Sequence, residues 1–202
     1  MPTESTTRPY TKRRRAAAEA ETRQRIAEAA MRLHGSVGPA RTTISAVAEK
    51  AGVQRATVYR HFPTEEELFG ACSAHWYSLH PPPDFPSWAE TADPEERLRS
   101  GLAELYAWYG SDERMFVNNT RDAPLVPAMV PAMEVVQGAL AAMVDVLMKG
   151  RPERGRRRRR VLGAIRHATA FGTWYSLTRE GELSDDEAID AMLGAVAAAG
   201  RR

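Results

Sequence analysis

The sequence predicts an all-α protein. Apolar residues recur at helical spacing in almost every segment, and Ser or Thr followed three residues later by Glu marks several helix starts. No alternating apolar pattern longer than about four residues indicates a strand. We therefore expect about nine helices in a chain of 202 residues, which is long enough for one large domain or two small ones.

The first three helices are short and closely spaced. The apolar stripe over residues 26–37 predicts a first helix from about residue 16 to the break at Gly38. A second helix is expected over residues 44–51, between a Thr42-Thr43 start and a stop at Gly52. The third follows immediately.

A capping box at Thr64 begins a fourth helix, which ends near residue 79. The prolines of residues 80–87 remove amide donors and predict a rigid connector. The remaining helices are expected at 94–109, 112–119, 124–149, 156–180 and 185–198.

Composition excludes several classes of protein. No run of 18 to 20 uninterrupted apolar residues and no secretory signal occurs, which predicts a cytoplasmic chain without a membrane partner. The single cysteine, Cys72, is expected to be a small buried side chain. The five histidines lack metal-ligand spacing, and nucleotide and hydrolase fingerprints are missing, so we predict no metal, no cofactor and no catalytic residues.

Charge is distributed unevenly along the chain. Residues 1–62 carry a formal charge of +7 and the remainder carries −5, for a net charge of +2. This asymmetry indicates that the N-terminal segment meets a polyanion.

The spacing of three small residues predicts a helix-turn-helix. Ala48 is small where two helices would cross, Gly52 can adopt the positive φ of the turn, and Val58 can fill the angle between the helices. If Val58 is buried, its polar neighbours remain free to read base edges in a major groove. A plain αα-hairpin with a solvated polar face is the alternative.

The predicted interface combines the third helix, the start of the second helix and the basic run near the N-terminus. Arg55 and Gln54 can form paired hydrogen bonds with bases, and the helix start at Thr42-Thr43 suits a phosphate. The outward-facing set on the third helix is Gln54, Arg55, Thr57, Tyr59, Arg60 and His61. The run Lys12, Arg13, Arg14 and Arg15 is expected to be a disordered arm that touches phosphates or the minor groove, or else a solvated tail.

Residues 22–69 resemble the DNA-binding domain of the TetR family of bacterial transcriptional regulators. The resemblance is carried by "TTISAVAEKAGV" and "TVYRHF" and covers about a quarter of the chain. It implies that Thr43 meets phosphate, that Gln54, Arg55, Ala56, Thr57 and Tyr59 lie on or near bases, and that Tyr59 and His61 hold the backbone. Many members have a phosphate-contacting lysine where this chain has Glu65, so the resemblance does not imply that contact here, and the arginine arm is the alternative source of it.

The resemblance also implies the domain organisation. We expect a disordered basic arm over 1–15, the helix-turn-helix domain over 16–63, and an effector-binding and dimerisation domain over 64–202. Aromatic and methionine side chains suit an adaptable pocket, although each could equally be core. The predicted effector-binding residues are Trp76, Tyr77, Tyr106, Tyr109, Phe116, Met129, Met133 and Trp174.

Two apolar stripes predict the dimer interface, one on the last helix and one on the long helix before it. Their residues are Val161, Ile165, Ala168, Gly172, Tyr175, Ile189, Met192, Leu193 and Val196. The run of arginines over 155–160 is expected to be a solvated helix start, with a second nucleic-acid contact or an acidic partner as the alternatives.

The sequence therefore predicts a homodimeric transcriptional regulator, more specifically a repressor. It would bind a palindromic double-stranded DNA operator and be released by a small apolar or aromatic effector. The alternatives are a helical DNA-binding protein without an effector and an all-α enzyme.

Overall fold

A computed structural model describes the backbone of residues 7–201 and the side chains of residues 12–201. Within that part of the chain there are ten α-helices, several short 3-10 turns and no strand, which confirms the all-α prediction. The helices are α1 (Thr7–Ser36), α2 (Ile44–Ala51), α3 (Arg55–His61), α4 (Glu65–Leu79), α5 (Pro94–Ser111), α6 (Glu113–Asp122), α7 (Val130–Met148), α8 (Gly155–Ala168), α9 (Phe171–Tyr175) and α10 (Asp185–Arg201).

The helices form two compact units. Unit 1 comprises the chain up to Leu79 together with Val117–Ala132, and unit 2 comprises His80–Phe116 and Met133–Arg202. Unit 1 thus includes α4, which the sequence analysis assigned to the second domain. The His34 ring of α1 stacks on Phe69 of α4 with the ring centroids 5.3 Å apart, and this contact holds α4 in unit 1.

Unit 1 is built on the buried side of α1. Ile26 and Ala30 pack in a core that also contains Val47 of α2 and Val58 of α3, and all four side chains are fully buried. Cys72 of α4 is buried as well, as the sequence predicts. The amide of Glu67 donates to the Thr64 hydroxyl at 3.2 Å, so the predicted cap of α4 forms.

Unit 2 is held together by a buried arginine and by aromatic packing. The Arg97 guanidinium of α5 donates to the carbonyls of Trp88 and Thr91 in the preceding connector and to that of Lys149 after α7. Arg97 therefore ties two segments to α5, without an acidic partner among the described residues.

The first helix is longer than predicted. It starts at Thr7, so Lys12–Arg15 lie on a helix rather than in a disordered arm. Residues 12–20 contain only Lys, Arg, Ala and Glu, all strong helix formers, and Pro9 falls in the first turn, where proline is tolerated. The first six residues of the predicted arm lie outside the described residues.

Two predicted helices are interrupted. The segment expected as one helix over 156–180 is divided into α8, α9 and a π-helical turn over Ser176–Glu180, because Ala170 adopts an extended conformation. The Thr169 hydroxyl bonds back to the Ile165 carbonyl at 3.0 Å and favours this end of α8. The segment expected over 124–149 begins as two 3-10 turns, and α7 starts only at Val130.

One apolar helical stretch in the described chain has the length of a membrane span. Residues Pro127–Met148 are long and apolar enough to cross a membrane. Only 17% of the most apolar part of this stretch is buried. Glu134, Gln137 and Asp145 interrupt it, so it contains no run of 18 to 20 uninterrupted apolar residues. Length and composition alone are weak evidence for insertion.

Candidate nucleic-acid interface

The turn between α2 and α3 has the geometry that the sequence predicts. Gly52 ends α2 with φ 66° and ψ 38°, a left-handed conformation that glycine adopts without strain. Thr43 begins α2, and its hydroxyl accepts a hydrogen bond from the Ala46 amide at 3.1 Å. Ala48 and Val58 are buried where the two helices meet, so the orientation of α3 is fixed by packing.

Burial of Val58 leaves one face of α3 open. Tyr59, the next residue, is 46% exposed. The residues of the predicted reading set that are exposed are Gln54, Arg55, Ala56, Tyr59 and Arg60, while Thr57 is half-buried. These side chains offer guanidinium, amide and hydroxyl groups, which are the groups that discriminate base edges in a major groove.

His61 does not belong to the exposed face. It lies three residues after Val58, so the helical repeat places it on the buried side, and only 7% of the residue is exposed. Its Nε2 is buried without a hydrogen-bond partner among the described residues. The prediction that His61 contacts DNA does not fit this conformation.

Thr42 is also less available than Thr43. Thr43 is exposed, but Thr42 is half-buried and its hydroxyl donates to the Gly38 carbonyl at 2.9 Å. The Thr42 hydroxyl therefore stabilises the turn before α2, which leaves Thr43 as the more accessible residue at the helix start.

An arginine that the sequence analysis missed supports the end of α3. The Arg23 guanidinium of α1 lies 4.0 Å from the centroid of the Phe62 ring and donates a hydrogen bond to the His61 carbonyl. A cation near the last carbonyls of a helix interacts favourably with the helix dipole. The sequence gives no local signal for this contact, because Arg23 and His61 are 38 residues apart.

A polar cleft of about 330 Å³ lies between α1 and α3. It is lined by Ala18, Glu19, Thr22, Arg60 and His61. On the same helix α1, Lys12, Arg13, Arg14 and Arg15 are exposed and add positive charge to unit 1.

The part of α6 that belongs to unit 1 supports the segment before α2. The Asn118 side-chain amide donates to the carbonyls of His34 and Gly35, at 2.9 and 3.0 Å. The buried Asp122 carboxylate accepts from the Ala40 amide at 3.0 Å, and the hydrogen bond from the Arg121 guanidinium lowers its pKa. These contacts hold the end of α1 and the turn that leads into α2.

The residues predicted to bind an effector are mostly core. Tyr106, Tyr109 and Trp174 of unit 2 are buried, and the two tyrosine hydroxyls donate to the carbonyls of Ala168 and Thr169 at 2.8 and 2.7 Å. Phe116 is half-buried and stacks on Phe171 at 5.3 Å between centroids. In unit 1, Trp76 and Met129 are buried and Tyr77 is half-buried, while Met133 at the start of unit 2 is half-buried.

Most of the predicted dimer residues are core as well. Five of the nine are buried in the core of unit 2: Val161, Ile165, Ala168, Ile189 and Val196. They cannot contact a second copy, because the apolar stripes of α8 and α10 pack against each other within one chain. Tyr175, Met192 and Leu193 are half-buried, and Gly172 is exposed.

An open cleft of about 380 Å³ lies beside the break between α8 and α9. Its polar lining includes His167 and Thr173, whose hydroxyl lies 3.2 Å from the His167 Nδ1, and its apolar lining includes Leu177 and Met192. Among the described residues, no group of three or more His, Cys, Asp or Glu side chains could hold a metal ion.

The helix pair with its exposed face has the geometry of a helix-turn-helix DNA-binding domain. Residues 26–72 match the family described as bacterial regulatory proteins, tetR family. This match lies over the helix-turn-helix, so residues 26–72 are similar to the DNA-binding segment of that family.

Two curated relatives from Pseudomonas putida match the same part of the chain. The HTH-type transcriptional regulator TtgR and the probable HTH-type transcriptional regulator ArpR are each 43% identical over 60 residues. The match covers 30% of this chain and 29% of each relative, so less than a third of their length is compared.

Solved structures resemble the fold over most of its length. A transcriptional regulator from Rhodococcus sp. RHA1 has a TM-score of 0.56 at 19% identity and covers 86% of this chain and 95% of its own. A TetR transcription regulator from Haloarcula marismortui has a TM-score of 0.57 at 18% identity, covering 90% of this chain and 97% of its own. At this identity the likeness concerns the fold alone.

Proposed function

We propose that this chain is a homodimeric repressor that binds a palindromic operator through α2 and α3 and is released by a small apolar or aromatic effector. The observation that carries the proposal is the burial of Val58 beside the exposed Tyr59, with Arg55 and Arg60 also exposed on α3. We also propose that the chain acts in the cytoplasm and catalyses no reaction.

The proposed operator contact has two parts, recognition of bases and binding of the phosphate backbone. Gln54 and Arg55 stand at the start of α3 and would pair with base edges, while Thr43 at the start of α2 would meet a phosphate. His61 is not part of this proposal, because its ring is buried; Arg23 would instead act through α3 by holding its end.

A dimer is proposed because one short reading helix contacts few bases, and two half-sites about one helical turn apart, or a multiple of it, add their energies. The exposed side of α10 carries Ala191, Gly194, Ala195 and Ala198. Residues this small allow two helices to approach closely, so this side of α10, with the half-buried Met192 and Leu193, is the proposed interface. The predicted residues that are buried in the core are excluded from it.

The effector is proposed to bind at the open cleft beside α9. Thr173 lines this cleft, and the next residue, Trp174, packs in the aromatic core of unit 2. A ligand with an apolar body and one hydrogen-bonding group would fit the combination of Leu177 and Met192 with His167 and Thr173.

A route for the response follows from α9 and α6. Phe171 of α9 stacks on Phe116 of α6, and further along the same helix Asn118 and Asp122 hold the segment before α2. Displacement of α9 would disturb α6, and the effector would weaken operator binding if it favours that displaced conformation.

The test is a gel-shift titration with the DNA upstream of the gene for this chain. Arg55→Ala should weaken binding by about 1 to 3 kcal/mol if Arg55 pairs with a base. Arg99→Ala is the matched control, because this exposed arginine of unit 2 already pairs with Asp190 at 2.8 Å. Unchanged operator affinity and salt dependence for Arg55→Ala would remove Arg55 from the readout.

Dimerisation is tested by Ala195→Arg, which places a charge on the proposed face of α10. Sedimentation equilibrium should show a monomer for this variant and a dimer for both the wild type and Ala141→Arg on the exposed side of α7. If Ala195→Arg remains a dimer, the interface lies elsewhere.

A further inference from the structure

Unit 2 carries an exposed group of arginines at the start of α8. Arg156, Arg157, Arg158 and Arg159 occupy consecutive positions in its first turns, and all four are exposed. The first turn of α8 contains no acidic residue. Four adjacent positive charges therefore meet solvent at one end of one helix.

The tertiary structure adds a fifth arginine. The Arg160 Nε donates to the Ala199 carbonyl at 3.1 Å, and a Cβ built on Gly200 would lie 3.6 Å from the Cγ2 of Val161. The end of α10 is thus beside the start of α8, and the exposed Arg201 joins the group. We call these five residues, Arg156 to Arg159 and Arg201, the arginine patch.

The patch arginines have no carboxylate partner within the described chain; Glu153 lies beside Gly200 at the end of α10 but forms no ion pair with them. Two other exposed arginines of unit 2 have carboxylate partners: Arg99 pairs with Asp190 and Arg179 pairs with Glu113. No guanidinium group of the patch forms an ion pair or a hydrogen bond with another described residue. The fifth arginine of the run, Arg160, binds the end of α10 instead.

Helix stability does not explain the patch. Positive charges in the first turn of a helix oppose its dipole, and neighbouring like charges repel each other. The carbonyls at the end of α10 attract cations, but Arg160 already bonds to one of them. An external polyanion would relieve both effects.

The geometry allows the arginines to meet one surface. Side chains on a helix lean toward its N-terminus, so four consecutive arginines in the first turns extend toward the same end of α8. A partner that approaches this end can contact several guanidinium groups at once.

The chemistry of the patch favours phosphodiesters over a lipid surface. A planar guanidinium binds phosphate with two parallel hydrogen bonds. Binding at a lipid interface also uses apolar side chains that insert, and among the described residues no large exposed apolar side chain lies in 149–160 or 195–201. We propose that the arginine patch is a second, sequence-independent contact for the phosphate backbone of nucleic acid, separate from α2 and α3.

The salt dependence of DNA binding tests this proposal. Each neutralised phosphate contributes about −0.9 to the slope of log affinity against log salt concentration. The full chain and the variant R156Q/R157Q/R158Q/R159Q are titrated against a labelled random-sequence duplex by fluorescence anisotropy. The slope of the variant should be shallower by about 3 to 4, as expected for the loss of up to four phosphate contacts.

Three controls separate the patch from other effects. R156K/R157K/R158K/R159K keeps the charge and should keep most of the slope, whereas R99Q/R179Q removes charges that are already paired and should leave the slope within about one unit of the wild type. The glutamine variant should weaken binding to operator and random duplex by the same factor, so the ratio of the two affinities is unchanged. If Arg55→Ala lowers the ratio of operator affinity to random-duplex affinity, that result bears only on the function proposed for α3.

Two results would overturn the inference. One is a slope for the glutamine variant equal to that of the wild type, with circular dichroism showing the same helix content. The other is binding of the arginine patch to vesicles of equal parts phosphatidylserine and phosphatidylcholine, lost in the glutamine variant, while the duplex affinity of that variant is unchanged. The second result would make the partner an anionic membrane.

Discussion

The Asp122 carboxylate of α6 accepts a hydrogen bond from the Ala40 amide at 3.0 Å, joining two residues that are 82 positions apart in the chain. Ala40 lies in the short turn between α1 and α2, three residues before the Thr43 cap. The position of the helix-turn-helix therefore depends on a residue far outside the segment that resembles the family.

Asp122→Ala should destabilise the protein by about 1 to 3 kcal/mol, because the Ala40 amide and the Arg121 guanidinium both lose an acceptor. Urea unfolding measures the change. Arg121→Ala is the comparison: Arg121 is half-exposed, so its loss should cost less than the loss of the buried carboxylate. Equal stability of wild type and Asp122→Ala would show that this contact does not support unit 1.

Stability should fall in mild acid because of His34. Burial lowers the pKa of His34 from 6.5 to about 4, so the unfolded chain takes up a proton before the folded one as the pH falls. The free energy of unfolding is therefore unaffected by His34 above pH 6.5 and falls as the pH drops from 6.5 to 4. The total loss over this range is about 3 kcal/mol. Urea unfolding at several pH values should show this slope, and His34→Gln should reduce it. An identical slope in the variant would assign the acid sensitivity to other groups.

Gly38→Ala should destabilise unit 1. Gly38 has φ 94° and ψ 157°, a conformation that is almost restricted to glycine, and a Cβ there would overlap the Arg121 guanidinium and the Asp122 carboxylate. The backbone strain alone should cost about 1 to 3 kcal/mol. Gly70→Ala is the control, because a Cβ at Gly70 in α4 meets no atom within 4 Å and alanine favours a helix. Thermal unfolding should show a lower Tm for Gly38→Ala and an unchanged or higher Tm for Gly70→Ala.

Tyr109→Phe should destabilise unit 2 by about 1 to 2 kcal/mol, because the buried Thr169 carbonyl loses the hydroxyl donor that lies at 2.7 Å. Tyr59→Phe removes a hydroxyl from an exposed residue and should leave the free energy of unfolding unchanged. A Tyr109→Phe variant as stable as the wild type would mean that the carbonyl finds another donor.

The helix-turn-helix was predictable because its signals are local. The turn needs a residue that accepts a positive φ, and Gly52 adopts one. The crossing of α2 and α3 needs a small residue, and Ala48 is buried there. The helix starts at Thr64 and Ser184 also depend on residues three positions apart: the Ser184 box forms both of its hydrogen bonds, and the Thr64 hydroxyl accepts from the Glu67 amide. Short-range spacing is sufficient for features of this kind.

The break between α8 and α9 was not predictable in the same way. The segment between Val161 and Tyr175 contains no proline, and its two glycines, Gly163 and Gly172, lie within α8 and α9 and not at the break, so a single long helix was expected. The carbonyls at the break, those of Ala168 and Thr169, are bonded by the hydroxyls of Tyr106 and Tyr109 from α5. Contacts from a helix about 60 residues earlier support the interruption.

The sequence by itself determined the helical class, the small residues of the turn and the polar face of α3, because helical spacing decides which side chains share a face. Only the tertiary structure decided which of those faces are covered. It buried His61 on the inner side of α3, enclosed Val161 and Ile189 in the core of unit 2, and brought Arg201 to the start of α8. Burial depends on elements that are distant in the chain, and no local pattern encodes which of them will pack together.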